Sequence, residues 1–153
     1  MALDVRSELE SVLRVLKNNT TTMAASLTTA SSIVTIKAGD ARSVPVAVNE
    51  YPAILVKLIR EDERFEQLGN RNNRHVLEFE IVPLVYESSG PEESDKDILT
   101  LTKNIKSVLK SNIRLSGTAL FSMPESVDYF ATNLDGTYCS ASIISFKVDY
   151  LST

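Results

Sequence analysis

His75-Val-Leu-Glu-Phe-Glu-Ile-Val-Pro-Leu-Val-Tyr86 is the stretch on which the reading of the fold turns. Its first half puts Leu77, Phe79 and Ile81 on one side and Glu78 and Glu80 on the other, the period of two of a half-buried strand. From Ile81 onward the alternation stops. Ile81, Val82, Leu84, Val85 and Tyr86 are apolar whatever their parity, so this end of the strand is expected to be covered on both faces. Pro83 has no N–H for a ladder, which predicts a sheet edge or a bulge. An edge with a doubly apolar end is a place for a second subunit to dock.

Working outward, Ala53-Ile-Leu-Val-Lys-Leu-Ile-Arg60 has apolar residues on both faces and reads as a central strand. Glu61 to Arg74 then reads as a long charged connection, with Phe65 and Leu68 anchoring one helical turn that Gly69-Asn70 breaks. So long a connection between neighbouring strands is either a docking loop or a solvated tip. Nearer the start, Val5, Leu9, Val12, Leu13 and Leu16 form the stripe of an amphipathic helix over about residues 3–18, with Asp4 as N-cap. Residues 19–32, nearly all Thr, Ser and Ala, read as an irregular arm or a flexible connector, and the irregular region extends to about residue 48. Within it Ile33 to Lys37 is a short strand, Gly39-Asp40 a turn, and Val44 to Val48, with Pro45, an edge strand or extended loop.

After Tyr86, the acidic turn Glu87 to Asp95 leads into a second helix over about 96–112, with Ser94 and Asp97 at capping-box spacing. Ile98, Leu101, Ile105, Val108 and Leu109 form its buried stripe, and Lys103, Lys106 and Lys110 its solvated face. Ile113 to Pro124 reads as irregular, Glu125 to Thr132 as a strand, Asn133 to Gly136 as a hairpin turn, and Thr137 to Leu151 as the last strand. The sum is a single α+β domain: an antiparallel or mixed sheet of about four main strands with two helices packed on one face.

Chemistry is scarce. A net charge of −4 over 153 residues argues against a surface that grips phosphates, and a single cysteine, Cys139, forms no internal disulfide and reads as a small buried hydrophobe. No apolar run is long enough for a membrane helix or a signal sequence, so the chain reads as soluble and intracellular when made. That reading leaves the tripeptides at Asn18 and Asn19 without meaning for glycosylation. The five isolated glycines exclude a phosphate-binding loop. His75, the lone histidine, begins a strand and reads as a surface or interface residue rather than a catalyst. One Cys and one His do not make a structural zinc site, and Glu92, Glu93, Asp95 and Asp97 lack the spacing of a calcium loop. Glu78 and Glu80 share a strand face without implying a pocket. The expectation is no catalytic site, no cofactor and no metal.

The order of elements and several segments resemble the tail terminator (tail completion) proteins of long-tailed bacteriophages. The segments are Val5 to Leu16, Tyr51-Pro-Ala-Ile-Leu-Val56, the charged loop ending in Arg71 and Arg74, and Val76 to Val82. They continue with the Gly90-Pro91 loop before Ile98 to Leu109, the Asp135-Gly136 hairpin and Phe146 to Leu151. The resemblance implies a structural virion protein of the tail and neck region, assembled in the host cytoplasm. It implies a homo-hexameric ring that caps the tail tube, ends its polymerisation and offers the head's neck its attachment surface. Implied partners are the tail tube protein and the neck or head-completion (connector) proteins, with a tail sheath as a further candidate, DNA passing through the lumen without specific binding, and no membrane. On this reading Val82, Leu84 and Tyr86 are the ring-packing residues, and Glu61, Glu63, Arg64, Arg71 and Arg74 dock to tube or neck. Another neck protein of the same particle, a small binding adaptor taking a peptide at the Pro83 edge, and a small hydrolase using His75 are the competing readings.

Overall fold

The computed structural model describes residues 4–28, 30–40, 50–65, 73–86, 91–117, 119, 121–134 and 137–152. Its elements are α1 (Val5–Lys17), α2 (Thr20–Met23), β1 (Thr35–Ala38), β2 (Ala53–Phe65), β3 (Asn73–Val85), α3 (Pro91–Lys110), β4 (Phe121–Leu134) and β5 (Thr137–Ser152). The strands form one five-stranded mixed sheet in the order β1-β2-β3-β5-β4, and the class is α+β as expected. The fifth strand is β1, which runs parallel to β2 from Thr35 opposite Ala53 to Ala38 opposite Val56.

α1 forms where its stripe predicts. Asp4 caps it by accepting the Ser7 N–H at 2.7 Å, and that donation holds the Asp4 carboxyl below its ordinary value. Val12, Val15 and Leu16 of α1 and Ile98, Leu101, Ile105 and Leu109 of α3 pack on one sheet face, against Ile54, Val56, Leu77, Phe79, Ile81, Ile144, Phe146 and Val148. Burial of each such side chain is worth about 1.5–3 kcal/mol, so this layer dominates the stability.

Several boundaries differ from the sequence reading. The segment 19–28 is neither an extended arm nor a free connector, because it folds onto α3 of its own chain. Met23 and Ala24 are buried, Asn104 Nδ2 donates to the carbonyls of Met23 and Ala25, and the Thr28 N–H and hydroxyl both donate to Asp97. Asp97 is therefore a tether inside the helix and not a capping-box partner, and α3 begins at Pro91, one and a half turns earlier than its capping-box spacing suggests. β2 runs on to Phe65, so Glu61 to Phe65 is strand rather than connection and Phe65 anchors no helical turn. β4 begins at Phe121 and runs through Pro124. The proposed turn residues Leu68, Gly69 and Asn70 and the run Val44 to Val48 lie outside the described residues. β4 and β5 pair out to Leu134 opposite Thr137, as a hairpin across Asp135-Gly136 requires.

The largest correction concerns Pro83. β3 lies in the middle of the sheet, with β2 on one side and β5 on the other, so Pro83 is not at an edge. The sheet accommodates it as a gap: β3 pairs with β5 down to Ile81 opposite Ile144 and resumes only at Leu84 opposite Ala141. A residue without an N–H interrupts one ladder there and leaves the ladder to β2 intact, with Pro83 opposite Ile54. The double apolarity of Ile81–Val85 is nonetheless used on both faces. Val82 and Leu84 join Tyr51, Ala53, Leu55, Cys139 and Ala141 in a second, smaller core on the sheet face away from the helices.

Candidate functional site

Two bulges decide which side chains the sheet presents. In β2 the register shifts between Leu58 and Arg60, and in β4 between Pro124 and Ser126. Because side chains alternate with period two, one extra residue moves everything beyond it to the opposite face. Before its bulge β2 turns Ile54 and Val56 toward the helices. Beyond it Glu61 and Glu63 take that face, opposite Leu77 and His75 of β3.

Glu61, Glu63 and His75 thereby meet at one end of the sheet. Glu61 Oε1 lies 4.0 Å from His75 Nδ1 and Glu63 Oε1 lies 3.9 Å from Nε2. The imidazole is nearly buried and stacks on Tyr150 of β5, with ring centroids 4.6 Å apart and planes 10° from parallel. The two carboxylates are half-exposed. Glu8 of α1 is buried near the same end, and the local field is negative. Burial first, then the charges of Glu61, Glu8, Asp4 and Glu63, push the Tyr150 phenol up to about 12. Arg74 sits on the other face of β3, in an ion pair with Asp149.

The β4 bulge has the opposite chemical result. Beyond it Val127, Tyr129 and Ala131 stand opposite Ile144, Ser142 and Ser140 on the helix face, while Phe130 stands on the other. Tyr129 and Phe130 are 52% and 36% exposed, Leu99 of α3 is 55% exposed, and Phe121 and Met123 are exposed further along the same strand. Between β4 and α3 lies an open groove of about 290 Å³ lined by Ile98, Leu99, Tyr129, Phe130 and Ala131, with Asp95 and Ser140 as its polar lining. Lys103, Lys106 and Lys110 continue alongside it on α3. β4 is the outermost strand on this side among the described residues, so these groups stand at an edge of the sheet.

The residues singled out from the sequence scatter. Val82 and Leu84 are buried within the chain itself, with 5% and 0% of their surface accessible, and Tyr86 is half-buried beside Tyr51. Glu61 and Glu63 gather at His75 as described. The side chain of Arg64 and the whole of Arg71 lie outside the described residues, and Arg74 is engaged by Asp149. The acidic residues of the α3 start disperse: Asp97 binds Thr28, Asp95 accepts from Ser140, and Glu92 and Glu93 face Lys96. Cys139 is buried in the second core, where burial pushes its thiol up and the Tyr51 hydroxyl lies 3.8 Å away.

The sequence reading passed over Leu99, Tyr129 and Phe130. The adjacent pair Tyr129-Phe130 was the available signal, since two large aromatics in succession on a strand place one of them on each face. No helix is long and apolar enough to cross a membrane among the described residues. No protein-family model matches the sequence, and no curated protein matches it closely enough to name a relative.

Proposed function

We propose that this chain is a ring-forming virion assembly protein, a tail terminator that caps the phage tail tube and carries the neck's attachment surface. The observation that supports it most is the apolar β4 edge. Proteins usually blunt an edge strand with charge, bulges or a cover, and contiguous exposed apolar groups mark contact surfaces. Here Phe121, Met123, Tyr129 and Phe130 share an edge strand and Leu99 stands across the groove.

The occupant is a second copy of the chain. A cyclic ring needs two different patches on each subunit. The opposite side of the sheet supplies one, with Ile59 43% exposed beside the acidic run Glu61-Asp62-Glu63 and Val34 57% exposed at the other end of β2, next to Pro52. Those carboxylates complement the lysine row of α3 that flanks the β4 groove. The ring contact thus moves from Val82 and Leu84 to the β4–α3 edge. Tube, neck and connector proteins are then met by the ring's two flat faces, and DNA passes through an acidic assembly without specific binding.

Light scattering from dilute to concentrated protein, with negative-stain imaging, tests this. The expected particle is a six-fold ring near six times 16.9 kDa, and Leu99→Gln with Tyr129→Ser leaves a folded monomer. A chain that stays monomeric even when mixed with tail tubes, or a ring unaffected by those substitutions, overturns the reading. A discrete 1:1 complex with a strand-forming peptide along β4 would favour the adaptor instead.

A further inference from the structure

We infer that Glu61, Glu63 and His75 form a binding site for one divalent first-row metal ion, with zinc the best fit. The inference does not rest on the ring, because all three ligands belong to one chain.

The backbone already does most of the assembly. Glu61 and Glu63 are two apart on β2 and share a face, and His75 is the register partner of Glu63 on β3. One ligand atom from each of the three lies within 4.8 Å of the others. A tetrahedral zinc with bonds near 2.0–2.2 Å holds its ligand atoms about 3.4 Å apart, so closure asks for roughly 1 Å of movement. The glutamates can supply it: their side chains are 35% and 47% exposed and unbranched, while the imidazole is held in place by its stack on Tyr150. The carboxylates face different ring nitrogens, so the ion takes one nitrogen and the farther carboxylate swings around the ring edge. In the free subunit, before a neighbour's lysine row covers the acidic run, exposure of both carboxylates leaves a path for entry and room for water as a fourth ligand.

The donor set selects the ion. One imidazole nitrogen with two carboxylate oxygens suits zinc or manganese. Calcium and magnesium prefer all-oxygen shells, and copper(II) and nickel(II) prefer square arrangements richer in nitrogen. Bound there, the ion ties β2 to β3 near the ends of both strands.

Calorimetric titration of zinc chloride into dilute, chelator-stripped protein tests the site. The expected result is one ion per chain with a micromolar Kd, retained in Cys139→Ser and weakened roughly tenfold or more in Glu61→Gln/Glu63→Gln. At a hundredfold excess over the native Kd, zinc should raise the Tm of the native chain by about 5–10 °C and that of the double variant by about half as much or less. His75 is the single histidine, so its imidazole resonances should shift on zinc addition and not on magnesium addition; this readout does not depend on any variant folding. Equal zinc affinity in the native chain and the double variant, unmoved His75 resonances, or loss of binding in Cys139→Ser overturns the site.

Discussion

The two outer sides of the sheet carry opposite chemistry. Beyond Val56, β2 has no strand on its outer side among the described residues, and it carries Lys57, Arg60, Glu61, Asp62 and Glu63. β4, the edge at the other side, carries Phe121, Met123, Tyr129 and Phe130. Both strands contain one bulge, and in both the residues beyond it change face. The same device thus brings carboxylates to His75 on one side and an aromatic to α3 on the other. A bulge acts as a parity switch, and the residues it turns over decide the result. The β2 segment is protected against edge pairing by a dense run of charges, whereas β4 has such protection only around its bulge, at Pro124, Glu125 and Asp128, and leaves Tyr129 and Phe130 exposed beyond it.

The sharpest way to break this comparison is at the point both halves depend on, the paired Phe79 and Phe146 between β3 and β5. Phe79→Ala should cost about 3–5 kcal/mol in urea unfolding, because the ring is fully buried and its neighbours cannot collapse into the space. A loss under about 1 kcal/mol would mean that the registers, and with them both bulges, are misassigned.

Deleting Ile59 straightens the β2 bulge while leaving Glu61 and Glu63 opposite Leu77 and His75, and should cost on the order of 2 kcal/mol because the local bend and twist that the extra residue gives the strand are lost. Deleting Glu125 straightens β4 in the same way, leaves Val127 and Tyr129 opposite Ile144 and Ser142, and on an edge strand should cost about half as much. Equal losses, read from the same unfolding curves, would show that the two bulges are not set apart by their places in the sheet.

Alkali probes the acidic side alone. The Tyr150 phenol titrates at about 12 in the folded chain against an ordinary value of 10.0. The unfolded chain therefore gives up its proton first. Stability is whole below pH 10 and falls between pH 10 and 12, by on the order of 2 kcal/mol. Tyr150→Phe should flatten that fall, and a variant that keeps its full slope would remove Tyr150 as the cause.

The smallest effect on stability is expected at the apolar edge. Leu99→Gln and Tyr129→Ser, both at exposed positions, should each change unfolding by no more than about 0.5 kcal/mol while abolishing self-association. A large loss of stability would mark the groove as part of the core rather than a contact surface.

What the sequence by itself determined is local or strongly periodic. α1 follows from Asp4 and an unbroken stripe, β5 from sixteen residues with clean alternation at its end, and the α+β class from the order of such elements. The first half of β3 and the presence of a helix after Tyr86 were legible for the same reason. Tertiary structure decided the rest. A bulge offsets one strand by one residue and leaves no mark in composition, so only pairing with β3 showed that Glu61 and Glu63, rather than Arg60 and Asp62, face His75. Charge density made Glu61 to Phe65 look like a loop, yet a strand with an open outer side tolerates charges that a central strand would not. The Thr/Ser-rich segment after α1 has no periodicity of its own. Its conformation comes from Asn104 and Asp97, distant side chains that satisfy its backbone groups. The sequence reading gave Val82 and Leu84 to a neighbouring subunit; a second core of their own chain covers them instead, assembled by pairings that no local stretch encodes.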